Sequence, residues 1–431
     1  MFVRAGRPIA SSRVAAASQC APRPYSQPIC HRVRSSSAAT CRGPPTPVPT
    51  SRAAQSTPYR HFASRQRICT LLDDTPPRPC EYIPNTPIRV LRTVADVREW
   101  TASVCKSTTE TDQGLALVPT MGALHAGHTT LLHRAAQIGH NKIVLSIYVN
   151  PAQFGLAEDL DSYPKTWDGD CALLSKLYPE LAQKVESHGA TGGLQMAVFA
   201  PKTAEMYPSG FPGQQPDSKG SFVTITPVGE LLEGKARPTF FRGVATVCMK
   251  LFNIVQPSRV FFGQKDVQQT VVIRKMVKDF HMPIDVAIVP TVREERDGLA
   301  LSSRNVYLGA RRRAVASVLV NALRATEQAY LGGATAAGDL VPAALKVILD
   351  VMEQQMKLSP SEGVMFEMDY ISLADPDTME EIKEVDTAKG AILSGAIKML
   401  PVFEAHEGED LGLSNGPPVR LIDNIILPPR T

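Results

Sequence analysis

The feature that most constrains this chain is a strand–helix–strand pattern early in its patterned region. "GLALVPT" (114–120) is a short apolar run, "AGHTTLLHRAAQIG" spaces its apolar residues at helical period, and "NKIVLSIYVN" (141–150) is a second continuous apolar run. Runs apolar at every position are buried on both faces, and joining two of them through a helix makes them parallel. The pattern returns at "SRVFFGQKD" (258–266), "VQQTVVIRKMVKDFH" and "PIDVAIVPTVRE". The expected class is therefore α/β, with a Rossmann-like, doubly wound parallel sheet covered by helices on both faces. Ligands of such sheets bind beyond the carboxyl ends of strands, beside helix N-termini.

Regular patterning begins near Ile88 with "IRVLRTVADVREWTASV" and changes character after Tyr307. Two helical stretches, "ARRRAVASVLVNALRATEQAYL" and "DLVPAALKVILDVMEQQMK", then precede strand-like "MFEMDYISLAD", "GAILSGAIKM" and "VRLIDNIIL". Helices followed by strands predict a smaller α+β domain over 308–431, beside a Rossmann-like domain over 88–307. Gly- and Pro-rich "SGFPGQQPDSKGS" (209–221) and "HGATGGLQ" (188–195) read as surface loops. A chain of 431 residues, 43% hydrophobic and 20% charged, has material for two cores. It has no apolar run of membrane-spanning length, so no membrane partner is expected.

Residues 1–87 read as a disordered Arg-, Ser- and Pro-rich extension. Residues 1–72 hold 11 Arg and no Lys, Asp or Glu, so the +4 formal charge of the whole chain turns negative for the remainder. The patterned part is then no candidate for nucleic-acid binding. The acid-free extension has the composition of a mitochondrial transit segment, and of a solvated tail equally. Location is accordingly expected to be cytoplasmic, or mitochondrial if that segment directs import. Cys20, Cys30, Cys41 and Cys69 lie in the first 72 residues and no C-x-x-C pair occurs, which points to neither a zinc site nor a disulfide framework. Cys105, Cys171 and Cys248 read as reduced thiols.

The chemistry-bearing residues sit at strand ends. In "PTMGALHAGH", His125 and His128 are three residues apart, hence on one face of the first turn of a helix. Backbone N–H groups and the helix dipole favour an anion there, two imidazoles add donors, and Gly127 lets a phosphate approach the backbone. A capping role is the alternative for such a histidine. His133 and His140 read as surface residues. In "LSSRN", Ser302, Ser303 and Arg304 form a cationic, donor-rich loop suited to phosphate oxygens, or a helix cap. Lys265 in "FFGQKD" supplies a point charge, and Asp266 an acceptor for ribose hydroxyls or a cap. Gln153 in "VNPAQF" and Gln269 in "KDVQQ" are neutral; amides hold a nucleophilic carboxylate without dulling it as an arginine would. For Gln269 alone, a surface helix position reads better.

Taken in order, "PTMGALHAGH", "SIYVNPAQF", "DLDSYPKTWDGD", "FFGQKDVQQ" and "DGLALSSRN" resemble the pantothenate synthetase (pantoate–β-alanine ligase) family, within the nucleotidylyl-transferase superfamily. The resemblance runs from about Ile88 to "RLIDNIIL". It implies an enzyme that activates pantoate with ATP as pantoyl adenylate, then forms pantothenate and AMP with β-alanine. The substrates are pantoate, β-alanine and ATP, with Mg2+ as cofactor and a homodimer as the assembly. It further implies that His125, His128, Lys265, Ser302, Ser303 and Arg304 grip the phosphates and that Gln153 and Gln269 hold pantoate. Met121 would line the ATP site through its backbone, with Gly263 and Asp266 at the ribose. Asp170 would be a water-mediated magnesium acid, and 308–431 a lid.

The chain departs from the family pattern in several places. Phe240 stands in "RPTFFRGV" where the family has a histidine, Gln264 replaces a glutamate, and Gly169 replaces an acid. Arg237 is retained as a further site residue, with a surface arginine as the alternative. The region between Asp170 and Val198 is longer than the compact pattern, and the helix expected near "LSKLYPELAQKVESHG" reads as solvated decoration. A transferase that adenylates a phosphate ester is the nearest rival. The neutral Gln153 and Gln269 speak against it, since a phosphorylated acceptor calls for further cations. An inactive binding protein on the same fold is the other rival.

Overall fold

The computed structural model describes residues 82–106, 113–155, 160, 166–189 and 192–430. The candidate transit segment, the four cysteines within it and most of "DLDSYPKT" lie outside the described residues. Six parallel strands form the main sheet: β1 (Arg89–Leu91), β2 (Leu115–Thr120), β3 (Lys142–Ile147), β4 (Gln195–Phe199), β5 (Arg259–Gly263) and β6 (Asp285–Val289). Their order is β1-β4-β3-β2-β5-β6. After β2 the chain winds outward through β3 and β4, then returns to lay β5 on the other side of β2. The winding direction reverses between β2 and β5, and such a reversal opens a crevice at the carboxyl ends of the two strands.

Why the apolar runs lack alternation is clear from burial. Leu115 and Leu117 point to one face and Ala116 and Val118 to the other, and all four are buried. The first face is covered by α1 (Val94–Val104), α4 (Phe240–Val255) and α5 (Val267–Asp279), the second by α2 (Ala126–Gln137) and α3 (Trp167–Ser187). Each fully buried aliphatic side chain in these layers contributes roughly 1.5–3 kcal/mol. α3 is the helix that reads from sequence as solvated decoration, and the structure corrects that reading. Its Cys171, Leu174, Leu177, Leu181 and Val185 recur at helical spacing and close the second face of the core.

The C-terminal region contains α6 (Gly309–Ala316), α7 (Val318–Leu331) and α8 (Ala337–Met356), then the antiparallel sheet β7 (Phe366–Ala374), β8 (Ala391–Met399) and β9 (Val419–Leu427). The single long helix expected after Tyr307 is two, parted at Ser317. Both sheets belong to one compact unit. Arg420 on β9 joins them, meeting both carboxylate oxygens of Glu233 (2.5 and 2.7 Å) and Asp369 (2.7 Å), while the Tyr370 hydroxyl donates to Glu233 at 2.9 Å. No helix of the described residues is long and apolar enough to cross a membrane.

Candidate active site

Because β3, β2, β5 and β6 are parallel neighbours, the segments that follow them emerge along one rim of the sheet. The segment after β2 turns sharply, with Gly122 (φ 87°) and Ala123 (φ 49°) both left-handed, before His125 caps α2. Asp170, 3% exposed at the start of α3, holds this turn: its carboxylate accepts from the N–H groups of Ala123 (3.1 Å) and Leu124 (2.8 Å) and from the Thr166 hydroxyl (3.1 Å). Burial pushes the Asp170 carboxyl upward against the pull of these three bonds. Both of its oxygens are thus engaged with the turn, a position that suits an anchor better than a magnesium acid.

The two imidazoles lie face to face, centroids 4.1 Å apart and planes tilted by 35°. His125 Nδ1 accepts from the Gly127 N–H (3.1 Å), and His128 Nδ1 accepts from the His125 N–H (3.4 Å). A neutral ring that accepts at Nδ1 carries its proton on Nε2. Both rings are neutral near pH 7. Burial lowers His125, with Lys265 adding to the effect, and burial together with His125 lowers His128 to about 3. The site therefore offers two neutral Nε2–H donors rather than two cations.

Two details differ from the sequence reading. The amides of Gly127, His128 and Thr129 are already satisfied by His125, through its ring or its carbonyl (2.8 and 3.1 Å), so an anion must be met by the rings. Gly127 is small for the sake of its neighbour: a Cβ there would lie 2.8 Å from the His125 ring. A third reading is overturned. His140 is buried, 1% exposed, with Nδ1 3.0 Å from the Gly114 carbonyl and its ring edge-on to Phe261, and His133 is half-buried beside Glu180 of α3.

After β3, Asn150 organises the turn that carries Gln153. Its Oδ1 accepts from the Tyr207 hydroxyl (2.7 Å), and its Nδ2 donates to the Gly243 carbonyl (3.1 Å) and to Gln153 Oε1 (3.2 Å). Gly243 on α4 lets the helix lie directly on this turn, since a Cβ would fall 2.3 Å from the Ala152 carbonyl oxygen. Among the described residues the donor end of Gln153 meets only the Met121 sulfur (2.9 Å), a weak acceptor that a carboxylate would displace. Arg237 grips the same turn, donating to the Gln153 carbonyl at 3.2 Å while its guanidinium lies 3.8 Å over the Phe240 ring.

After β5, a Cβ on Gly263 would enter open space, as a ligand-facing backbone requires, and Gln264–Asp266 form a 3-10 turn into α5. Lys265 lies 3.5 Å from Asp266, and the two charges act on the histidine pair: Lys265 on His125, Asp266 on both rings. Gln268 is buried and its side chain bonded to the Val228 and Leu231 carbonyls, whereas the side chain of its neighbour Gln269 is half-buried and makes no hydrogen bond among the described residues. After β6 a hairpin leads to Ser302, whose hydroxyl caps the Ser303–Tyr307 turn through the Arg304 N–H (3.3 Å); Arg304 is exposed. His125, His128, Lys265 and Asp266 thus share one electrostatic environment, and Met121, Gln153 and Arg237 one contact group. Ser302, Ser303 and Arg304 reach the rim by strand order, without a hydrogen bond to either group among the described residues.

Sequence reasoning passed over Asn150, Gly243 and Asn424. The first two lie within or beside quoted motifs, and a glycine inside an apolar helix is a signal of close backbone approach.

A model of the pantoate–beta-alanine ligase family matches residues 89–426. The pantothenate synthetase of Roseiflexus castenholzii is 40% identical over 307 residues, covering 71% of this chain and 94% of that protein. That of Chloroflexus aurantiacus is 41% identical over 341 residues, covering 79% and 98%. The crystal structure of pantothenate synthetase from Thermus thermophilus superposes with a TM-score of 0.58 at 35% identity, covering 79% of this chain and 100% of that one. At the level of fold, the pantoate-beta-alanine ligase of Francisella tularensis, complexed with beta-gamma ATP and beta-alanine, aligns at 24% identity and a TM-score of 0.50.

Proposed function

The chain belongs to the pantoate–beta-alanine ligase family, and from that premise we propose how its residues share the ATP-dependent formation of pantothenate. The pantoate carboxylate attacks the α-phosphorus of ATP, giving pantoyl adenylate and pyrophosphate. The amine of β-alanine then attacks the acyl carbon and AMP leaves. The substrate supplies the nucleophile in both steps, so the protein contributes position and electrostatics.

His125 and His128 donate from Nε2 to phosphate oxygens, Lys265 adds a fixed positive charge, and Ser302, Ser303 and Arg304 complete the grip. Gln153 and Gln269 hold the pantoate carboxylate with amides, with Arg237 securing the Gln153 turn. Met121, Gly263 and Asp266 line the ATP side, Asp266 toward the ribose. The observation that carries this assignment is the neutral, Nδ1-accepting histidine pair in electrostatic contact with Lys265 at the sheet's reversal point.

Among the described residues none is placed to ligate a metal directly. Asp170 is engaged by the turn after β2, and no group of three His, Cys, Asp or Glu converges among the described residues. Magnesium in this proposal arrives on the triphosphate oxygens as part of the substrate. Residues 308–431 serve as the lid and the assembly is a homodimer, which sedimentation would measure. The extension over 1–72 has two readings, a solvated tail on a cytoplasmic enzyme or a segment that directs import into mitochondria, and a fluorescent fusion separates them: a signal that stays cytosolic refutes import.

The direct test incubates purified protein with ATP, magnesium, pantoate and a panel of small amines, with products identified by mass. Pantothenate and AMP are expected only when β-alanine is present. Adenylate that accumulates on a phosphorylated acceptor instead would overturn the reading.

A further inference from the structure

One dipeptide of β9 reaches both of the phosphate-side segments. Asn424, 1% exposed, donates from Nδ2 to the main-chain carbonyls of Gln264 and Lys265, each at 2.9 Å, and accepts at Oδ1 from Gln264 Nε2 at 3.1 Å. Its neighbour Asp423 takes Arg293 in a two-pronged ion pair, Nη1 to Oδ2 at 2.5 Å and Nη2 to Oδ1 at 2.9 Å. Arg293 also donates to the Gly298 carbonyl (3.2 Å). This braces a hairpin bridged at Arg293 and Ala300 and closed by Leu301 N–H to the Val292 carbonyl (2.9 Å). The hairpin runs straight into Ser302, and Asn305 Nδ2 ties the following turn back to the Ala300 carbonyl (3.0 Å). Asp423 Oδ1 accepts from the Asn424 N–H at 2.8 Å, so the two anchors are themselves joined.

The chemistry of position 424 is narrow. Two consecutive carbonyls need two donors, and the Gln264 amide needs an acceptor, which an Asn side chain supplies together. A carboxylate there would set oxygen against two carbonyl oxygens. Fixing the carbonyls of 264 and 265 fixes the backbone from which Lys265 projects.

We propose that Asp423 and Asn424 are positioning residues for adenylate formation: Asn424 sets Lys265, and Asp423, through Arg293, sets Ser302, Ser303 and Arg304. A single point on the C-terminal strand keeps the two phosphate-gripping segments in register. The proposal rests on the assignment of those segments to ATP phosphates and adds which residues outside the site fix their geometry. Displacing a reacting group by about 1 Å costs on the order of 100-fold in rate, so loose anchors show in turnover before they show in binding.

Two readouts test it on the full chain. The first, hydrogen–deuterium exchange, needs no activity: Asn424→Ala should speed exchange across 263–267, and Asp423→Asn chiefly across 293–305. Unchanged protection in those segments would overturn the proposal. The second is pantoate-dependent ATP–pyrophosphate exchange, where Asn424→Ala should lower kcat about 10- to 100-fold while the pantoate KM moves less than about threefold. Placed on Lys265→Ala, the same substitution should cost less than about threefold more, because the group it positions is gone. Equal losses in both backgrounds would show a merely structural role and refute the coupling. Asn424→Ser, which keeps one donor, takes the place of Asn424→Ala if that variant fails to fold. Wild-type protein without pantoate-dependent exchange would defeat the ligase reading, while the protection measurement would still decide the anchoring.

Discussion

The segment after β2 and the segments after β5 and β6 meet at one rim but are held in opposite ways. The histidine turn is fastened by Asp170, 46 and 47 residues away on a helix packed on the same sheet, and by its own backbone. The Lys265 turn is fastened by Asn424, 160 and 159 residues away on another sheet. Half of the proposed phosphate grip is therefore anchored on the parallel sheet and its helices, and the other half takes an anchor from the C-terminal sheet. The Arg420 cluster with Glu233, Asp369 and Tyr370 makes the seat of that sheet a specific one. On the proposed assignment, the fit of the C-terminal sheet is coupled to the placement of the Lys265 charge.

The largest expected effect tests the self-contained half. His128→Ala removes an Nε2–H donor and should reduce ATP–pyrophosphate exchange about 100-fold or more, the scale of one lost transition-state donor. Its structural bond is a long one, 3.4 Å, so the unfolding temperature should barely move. Near wild-type pyrophosphate release would remove the histidine pair from the mechanism.

Asp170→Ala sharpens the comparison by breaking the local anchor. Two amides of the left-handed turn lose their acceptor, which costs about 2–3 kcal/mol of stability, and the displaced histidines should lower exchange activity roughly tenfold. The Lys265 turn should be untouched, with its hydrogen–deuterium protection at 263–267 as in the wild type. Loss of protection there would mean that the two halves share an anchor and the distinction fails.

How much of this was legible in the sequence follows the same division. The strand runs, the helix after "PTMGALHAGH" and the C-terminal helices and strands could be read because each is a local pattern of apolar spacing and punctuation. The candidate site residues are legible because they sit within a few positions of a strand end. Buried contacts across long separations left no such trace. The anchoring contacts of Asp170 are not legible, because the backbone amides that it accepts from carry no sequence signature. Asn424 lies inside an apolar strand and reads as an interruption until its partners at 264 and 265 are seen. α3 reads as decoration when its length is set against the family pattern, yet its Cys171, Leu174, Leu177, Leu181 and Val185 carry the helical spacing of a buried face. His140 reads as surface because nothing near it in the sequence converges on it, whereas in the fold it meets the Gly114 carbonyl and the edge of Phe261.

A third prediction concerns pH. The folded protein holds His128 neutral, lowered to about 3 by burial and by His125, against 6.5 for the free group. The unfolded chain binds the proton more readily between these values, so the stabilising contribution is complete above pH 6.5 and is lost as pH falls toward 3. From this residue the protein should be about 2 kcal/mol less stable at pH 5 than at pH 7. His128→Gln should flatten that slope in denaturant titrations, and an equal slope in the variant would place the acid sensitivity elsewhere. Protonation of His128 should also leave no inflection in kcat near neutrality.

The smallest effect is expected at the turn after β3, which neither Asp170 nor Asn424 touches. Phe240 occupies the place where the family has a histidine, and the Arg237 guanidinium rests 3.8 Å over its ring while donating to the Gln153 carbonyl. An aromatic face keeps the guanidinium flat against the turn and is worth roughly 1 kcal/mol in a half-buried setting. Phe240→Leu gives up that face, lets Arg237 swing and loosens Gln153, whose amide on the proposed assignment meets pantoate in the ground state and the transition state alike. The pantoate KM should rise about two- to fivefold with kcat nearly constant, the pattern of a lost uniform binding interaction. Phe240→His keeps a ring beneath the guanidinium and should stay closer to wild type than the leucine variant. If Phe240→Leu instead lowered kcat as steeply as His128→Ala, the turn after β3 would belong to the phosphate grip, and the division between pantoate-side amides and phosphate-side donors would have to be redrawn.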